Sequence, residues 1–316
     1  MRLFPLAAVL AAGALLSACA SMTGEGGSGP VAPGATFDAA RLLEHARVLS
    51  DDSFQGRGIA TPAEDMTIRY LSEQYAAAGF QPGGTNGSWT QDVALNRFTA
   101  SNFQGVQLKV GNDAIPLTQG QQITISTRRP GNHVMLTDAP LVFVGYGIKA
   151  PERNWDDFQG VDVRGKVIVV LVNDADFEEP VLNTFNGRAM TYYGRWTYKY
   201  EEAARQGAAG IIIVHETAPA SYGWATVQNS WSGPQFDIVR ANAAAERVPM
   251  ESWMQREVAV DLFRRSGQDF EALKTSARSR EFRPVELQGA TFSGMFDVAT
   301  SRVTTRNVIA RLPGST

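Results

Sequence analysis

The spacing of apolar and polar residues changes along this chain, and it predicts where helices and strands lie. Two early segments, residues 37–49 and 61–78, carry apolar residues at the three- and four-residue spacing of a helix face. Thr36 is the candidate N-cap of the first helix. In the second, Thr61 and Glu64 have the spacing of a capping box. We therefore predict two helices before the first strand.

After residue 89 the pattern becomes that of strands with helices between them. Alternating or short apolar runs predict strands at residues 91–95, 106–110, 123–126, 141–144, 167–172 and 210–214. Helical spacing returns at residues 195–206, 257–265 and 269–278. The final alternation, residues 303–312, predicts a strand with partners on both sides in a mixed sheet. Together these elements indicate an α+β fold.

The N-terminus has the pattern of a secretory signal. Arg2 precedes an apolar stretch over residues 3–16, which is shorter than the roughly 20 residues that span a bilayer. The stretch ends in Leu-Ser-Ala-Cys at Cys19, which resembles a bacterial lipobox. That resemblance implies cleavage before Cys19 and acylation of its thiol. The alternative is an ordinary signal peptide that happens to contain a cysteine.

Composition and charge narrow the classes of function. Cys19 is the only cysteine, so its acylation would exclude disulfides, thiolate zinc sites and a cysteine nucleophile. The formal net charge of −3 gives no electrostatic footprint for nucleic acid. Residues 20–35 are rich in Gly and Pro and predict a flexible tether. We expect an exported protein, anchored by lipid in the bacterial cell envelope, with the membrane as a partner.

Patterns typical of catalytic sites are absent from the sequence. His45, His133 and His215 show none of the close spacings of a zinc site, so we predict surface or packing roles for them. No Gly-x-Ser-x-Gly elbow or phosphate-binding loop is present. The acidic segment 173–179 follows a predicted buried strand. We interpret it as a solvated loop, with a calcium loop or the wall of a cleft as alternatives.

Aromatic residues and arginines are concentrated in one segment. Its members are Tyr192, Tyr193, Trp196, Tyr198 and Tyr200, with Arg188 and Arg195. Surfaces that recognise peptides and proteins are enriched in these residue types. The candidate residues for substrate or partner recognition are Arg188, Tyr192, Tyr193 and Trp196. The alternative is that part of the set packs a helix onto the sheet.

Two sets of motifs resemble a known family. Between residues 50 and 91, Ser50-Asp51, Gly56-Arg57, Tyr70-Leu71 and Gly79-Phe80-Gln81-Pro82-Gly83 are similar to the N-terminal segment of secreted and lipid-anchored zinc aminopeptidases, metallopeptidase family twenty-eight. The protease-associated (PA) domain inserted in that family is similar to residues 142–148, 155–158, 160–167 and 199–214. The resemblance covers residues 37–312 in order.

The resemblance implies both an organisation and a function. The implied parts are a signal peptide, 1–18; a lipidated tether, 19–36; an N-terminal segment of the peptidase domain, 37–134; a PA domain, 135–288; and truncated return strands of the peptidase domain, 289–316. The implied fold is an incomplete α/β peptidase domain with an inserted PA domain of mixed strands and flanking helices. The implied activity is that of a zinc-dependent exopeptidase, an aminopeptidase that hydrolyses peptides in the cell envelope with two zinc ions.

The zinc ligands and general base of the family match no residue of this sequence. In the family they follow the segment similar to residues 307–314, and the first of them form a His-x-Asp motif. The given sequence ends at Thr316, before such a motif. We therefore expect no catalytic residue, no metal ligand and no cofactor in the chain, and no activity when it is alone. One alternative is a stand-alone envelope lipoprotein whose PA-type domain binds peptides or proteins. Another is a paralogue that has lost its activity and serves as a structural lipoprotein.

Overall fold

The computed structural model describes residues 37–314. The predicted signal peptide, the tether, Cys19 and Thr36 lie outside this range. The described chain divides at Gly56 into two compact units. No helix within the described range is both long enough and apolar enough to cross a membrane.

The first unit contains helix α1, Ala39–Leu49. The carboxylate of Asp38 accepts a hydrogen bond of 2.9 Å from the Ala40 N–H and one of 3.3 Å from the Arg41 N–H. Asp38 is therefore the N-cap, because it satisfies N–H groups that the first turn leaves without helical partners.

The second unit, from Arg57 onward, contains the other helices and all the strands that the structure describes. Its helices are α2 Pro62–Ala77, α3 Ala175–Glu178, α4 Trp196–Arg205, α5 Thr217–Ala220, α6 Trp224–Trp231, α7 Ala243–Glu246, α8 Arg256–Arg265 and α9 Phe270–Ser276. Its strands are β1 Gln81–Pro82, β2 Thr90–Val110, β3 Asp113–Pro116, β4 Ile123–Ser126, β5 His133–Phe143, β6 Lys149–Ala150, β7 Trp155–Asp156, β8 Val167–Leu171, β9 Gly210–His215, β10 Gln235–Ile238, β11 Met250–Gln255, β12 Val285–Val308 and β13 Ala310–Arg311.

One large sheet organises this unit. Its strand order is β10-β2-β12-β5-β8-β9-β11-β4, with β3 also paired to β2. The neighbours β5, β8, β9 and β11 are parallel, whereas the other pairs are antiparallel. Helix α4 joins β8 to β9, and α6 lies in the connection from β9 to β11, as parallel neighbours require. This mixture of helices and strands agrees with the predicted α+β class.

The parallel strands are buried on both faces. In β8, Val167 and Val169 pack into one apolar cluster, whereas Ile168 and Val170 pack into a second. Successive side chains of a strand point to opposite faces, so the two clusters lie on the two sides of the sheet. This arrangement accounts for the continuous apolar run that predicted the strand.

The last part of strand β12 is paired on one side only among the described residues. It pairs with β2 up to the contact between Val308 and Thr90, whereas its pairing with β5 ends at Asp297. Within the described residues, the last part of β12 therefore has one partner strand. A second partner for residues 303–312 therefore stays a prediction.

Glu64 of α2 occupies part of the open side of β12. Its Oε1 accepts a hydrogen bond of 2.9 Å from the Arg306 N–H and another from the Thr305 hydroxyl. The other carboxylate oxygen accepts from the Ala60 N–H rather than from Thr61, so the predicted capping box is wrong. The Arg306 N–H, which could otherwise pair with a neighbouring strand, is thus satisfied by the side chain of Glu64.

Two glycines allow the chain after β5 to turn back against β8. Gly145 and Gly147 have φ angles of +55° and +65°, a region that favours glycine. A Cβ atom on Gly147 would lie 2.8 Å from Val170 Cγ1. The backbone conformation and the close contact both require glycine at position 147.

Candidate functional site

A cavity of about 520 Å³ opens at the carboxyl ends of three parallel strands. Ligands of open α/β sheets bind at this edge, because the connections that leave the strands form a crevice there. We call it the strand-end cavity. It is lined by Glu178 beyond β8; by His215, Glu216, Thr217, Ala218 and Pro219 at the end of β9; by Gln255, Arg256 and Glu257 at the end of β11; and by Trp224 and Lys274.

An ion-pair cluster forms one wall of the strand-end cavity. Lys274 Nζ lies 2.8 Å from Glu178 Oε1 and 2.8 Å from Glu216 Oε1, and its side chain is only 9% exposed. Burial alone would lower the pKa of Lys274, but its hydrogen bonds to Glu178 and Glu216 raise it. Arg256 Nε lies 3.5 Å from Glu216 Oε1. Charges of both signs are therefore held at the cavity wall.

His215 has a defined tautomer at this site. Its Nε2 lies 3.0 Å from the carbonyl oxygen of Tyr222, which can only accept, so Nε2 carries the proton and Nδ1 is an acceptor. The ring packs against Trp224 and Trp253. Burial lowers the pKa of His215, which favours the neutral imidazole. The histidine packs as predicted and also lines the cavity.

A buried polar cluster adjoins this wall, and Lys199 is its centre. The ammonium donates to the carbonyl oxygens of Tyr146 at 2.6 Å and Asn173 at 2.7 Å. Burial lowers the pKa of Lys199 to about 8. The side chain of Asn173 donates to the carbonyl oxygen of Pro219 at 2.9 Å, and Pro219 lines the strand-end cavity. The cluster therefore fixes the position of one cavity segment.

Asp157 is the second member of the buried cluster. Its two oxygens accept from the Ile148 N–H and the Trp155 indole N–H, each at 2.9 Å. Burial raises the pKa of Asp157 to about 7, although the hydrogen bond from Ile148 and the charge of Lys199 oppose this shift. This carboxylate ties β7 to the turn that follows Gly147.

The acidic segment 173–179 is not a solvated loop, so that interpretation is wrong. Asp174 is 1% exposed and Asp176 is fully buried. Asp176 Oδ2 accepts from the N–H groups of Phe185 and Gly187 at 2.6 and 3.0 Å, which compensates for the burial of one of its two oxygens. Glu178 reaches the strand-end cavity. The structure thus favours the alternative of a cleft wall.

Asp174→Asn is expected to flatten the dependence of stability on acidic pH. Burial raises the pKa of Asp174 from 3.8 to about 6, so the folded chain binds this proton more tightly than the unfolded chain. The resulting stabilisation is fully present below pH 3.8 and is lost as the pH rises through about 6. Urea unfolding across this range should show a loss of stability on the order of 3 kcal/mol in the parent chain and a smaller loss in the variant. Asp92→Asn, at an exposed carboxylate, is the control and should leave the slope unchanged.

The predicted recognition residues do not line the strand-end cavity. Tyr192 and Tyr193 both pack against Tyr198, and their hydroxyls donate to Glu201 and Glu152, each at 2.6 Å.

Trp196 packs against Tyr200 and Trp231, in the apolar cluster that contains Ile168 and Val170. The Arg128 guanidinium lies 5.1 Å from the Trp196 ring. Arg188 is exposed. The structure therefore brings two of the four residues together, and their recognition role stays a prediction.

Sequence reasoning missed the charged residues of the cavity wall. Glu216, Arg256 and Lys274 are separated by tens of residues, and none belongs to a recognisable motif. The sequence could have indicated two of these residues only by their position relative to the strands. Glu216 and Arg256 each directly follow a parallel strand, where ligand-binding residues are expected.

The described residues do not fit a zinc centre. Within residues 37–314, no group of three or more His, Cys, Asp or Glu side chains is placed to hold a metal ion. A catalytic zinc needs three protein ligands and an open position. One ring nitrogen of each of two histidines is already engaged: His133 Nδ1 lies 3.2 Å from Asp297, and His215 Nε2 contacts a carbonyl.

The sequence matches no protein-family model, and it has no significant match among curated proteins. Three of the solved structures to which it is similar are structures of aminopeptidases. One is the aminopeptidase from Aneurinibacillus sp. strain AM-1, at 17% identity and a TM-score of 0.37, covering 86% of this chain and 47% of that one. Another is the zinc aminopeptidase BSAP from Bacillus subtilis, at 12% identity and a TM-score of 0.36, covering 89% and 48%. A medium-resolution structure of BSAP gives 12% identity, a TM-score of 0.31, and 83% and 45% coverage. The chain thus spans about half the length of the solved structures it matches.

Proposed function

We propose that this chain is the N-terminal and PA-domain portion of a zinc-dependent aminopeptidase that acts on peptides in the cell envelope. The observation that carries the proposal is that the four segments resembling a PA domain interlock in space. Residue types that match a family by chance have no reason to contact one another. Here the characteristic polar residues of one segment bind the backbone of another.

Three contacts join these segments. Lys199, in the fourth segment, donates to the carbonyl oxygen of Tyr146 in the first at 2.6 Å. Asp157, in the second, accepts from the Ile148 N–H of the first at 2.9 Å. The third and fourth are joined by the Ala209 N–H, which donates to the Lys166 carbonyl oxygen at 2.8 Å. Each of the four segments is thus joined to at least one other by a hydrogen bond.

The proposal assigns no zinc chemistry to the described residues, because their donor atoms do not fit that metal. In the intact enzyme, residues other than these would bind the zinc ions, and the zinc ions would activate the attacking water. The described portion would supply the strands and loops that border the substrate.

Reading the encoding DNA past the codon for Thr316 tests this proposal. An in-frame continuation that soon contains His-x-Asp, followed by further Asp, Glu and His residues, would support it. A stop codon directly after Thr316 would count against it.

A second candidate is a stand-alone envelope lipoprotein that binds peptides or proteins. The strand-end cavity favours it, since this cavity presents a binding surface that needs no metal. Peptide affinity in the purified chain, together with a gene that ends at Thr316, would select this candidate over the first.

Export and lipid anchoring are part of both proposals. They rest on the similarity of the sequence around Cys19 to a lipobox, and two acyl signals would hold the protein stably on a membrane. Mass spectrometry of the mature N-terminal peptide tests them. An acylated Cys19 at the N-terminus is expected, and an unmodified thiol would contradict the anchor.

A further inference from the structure

We infer that the strand-end cavity binds a small zwitterionic ligand, a free α-amino acid or a dipeptide, through separate contacts to its carboxylate and its ammonium group. The inference rests on the cavity alone. It holds under either proposed function, because binding at this site is measured without reference to zinc or to hydrolysis.

The size of the cavity suits such a ligand. Its volume of about 520 Å³ falls within the roughly 300–1,000 Å³ typical of small-molecule sites. It is also far larger than the space that a single structural water fills. Pro219 and Trp224 add apolar surface to a wall that is otherwise charged.

The charges of the wall select a ligand that carries both signs. Glu178, Glu216 and Glu257 would repel a purely anionic ligand, and Arg256 and Lys274 would repel a purely cationic one. A zwitterion can place each of its charges against the opposite one. Because several of these side chains are buried, the mismatch of a singly charged ligand would be weakly screened by water.

The carboxylate of the ligand would bind at the start of α8. The side chain of the N-cap residue, Gln255, makes no capping hydrogen bond, so the N–H groups of the first turn remain for an anion. Arg256 begins this helix. Its guanidinium pairs with Glu216 and Glu271, but its side chain is 39% exposed, which leaves part of the guanidinium accessible. Lys274 gives two of its three N–H donors to Glu178 and Glu216, which leaves one for the ligand.

The ammonium group would bind between Glu257 and His215. Glu178 and Glu216 already share Lys274 as an ion-pair partner, whereas Glu257 is exposed and has no ion-pair partner among the described residues. His215 adds a neutral acceptor, Nδ1, because its Nε2 proton is engaged by the Tyr222 carbonyl oxygen. An ammonium group is a donor only, so it fits a carboxylate and an imidazole lone pair.

The test is calorimetric titration of the purified chain with L-alanyl-L-alanine. We expect saturable binding of the dipeptide. Its N-acetylated form, which lacks the ammonium charge, and its C-terminal amide, which lacks the carboxylate, should each bind at least about tenfold more weakly. Equal binding of the three compounds, or no binding of the dipeptide at millimolar concentration, would overturn the inference.

Substitutions in α8 test whether the ligand binds in the strand-end cavity. Arg256→Gln and Glu257→Gln should each weaken dipeptide binding by at least about tenfold. Arg264→Gln is the matched control: it removes an exposed arginine of α8 outside the cavity lining and should leave the affinity unchanged. If Arg256→Gln unfolds the chain, as seen by circular dichroism, the exposed Glu257→Gln decides alone. Undiminished binding in Glu257→Gln would show that the ligand lies elsewhere.

Discussion

Replacing Lys199 with methionine should lower the free energy of unfolding by about 3–5 kcal/mol, the cost of leaving buried charges without their partner. The Lys199 side chain is fully buried, and its ammonium donates to two backbone carbonyl oxygens at 2.6 and 2.7 Å. Its positive charge also lowers the pKa of Asp157 and of Asp174, against the effect of burial. Methionine preserves much of the length of the side chain but removes the charge and all three donors.

Lys166→Met provides the matched control. Lys166 Nζ lies 2.6 Å from Glu286 Oε1, but the glutamate side chain is 59% exposed. A pair of this kind contributes about 0–1 kcal/mol, because water screens the charges. Urea unfolding at neutral pH measures both variants, with the slope against denaturant checked for constancy. Similar losses for the two lysines would show that Lys199 is not the centre of the buried cluster.

Gly147→Ala is expected to cost about 2–5 kcal/mol, because it combines backbone strain with a steric overlap. Gly147 has a φ angle of +65°, and its new methyl group would lie 2.8 Å from Val170 Cγ1. Val170 is fully buried in β8, so it has little room to move. Thermal and urea unfolding measure the loss.

Two further variants separate the cost of backbone strain from the cost of the steric overlap with Val170. Gly160 has a φ angle of +79° but has no atom within 4 Å of the added methyl position, so Gly160→Ala should show strain alone, about 1–2 kcal/mol. In a Val170→Ala background, the cost of Gly147→Ala should fall by about 1–3 kcal/mol, as neighbouring substitutions are coupled. Strict additivity of the two substitutions would contradict the proposed contact.

The elements with simple patterns could be predicted from the sequence, and β11 shows why others could not. The apolar run of residues 167–172 predicted β8 correctly, because burial on both faces of the sheet selects apolar residues. The helical spacing of residues 195–206 predicted α4, and Gly207, with a φ angle of +75°, directly follows that segment. Strand β11 contains Glu251 and Ser252, both fully buried. Their polarity is compensated by Arg128 at 2.8 Å and by the Ile211 carbonyl oxygen at 2.8 Å, contacts that no local pattern reveals.

The candidate site was predictable only as a location. The acidic residues after β8 and His215 at the end of β9 both lie at the ends of strands. Their interpretation as solvent-exposed or packing groups failed for the acidic segment, because the compensating cation, Lys199, lies in a distant helix. The sequence could not show that Lys274 and Glu216 meet, since this contact depends on how α9 packs beside the strand ends.

Zinc content, measured together with hydrolysis of leucine p-nitroanilide, tests the proposed aminopeptidase function most directly. Both should be determined for the purified 316-residue chain and for the full product of its gene, with zinc added and with a chelator. We expect the 316-residue chain to bind less than one equivalent of zinc and to show no turnover, and the full product to bind two ions and to hydrolyse the substrate until the metal is removed. Chelator-sensitive turnover by the 316-residue chain alone would contradict the proposed division between this portion and the metal centre.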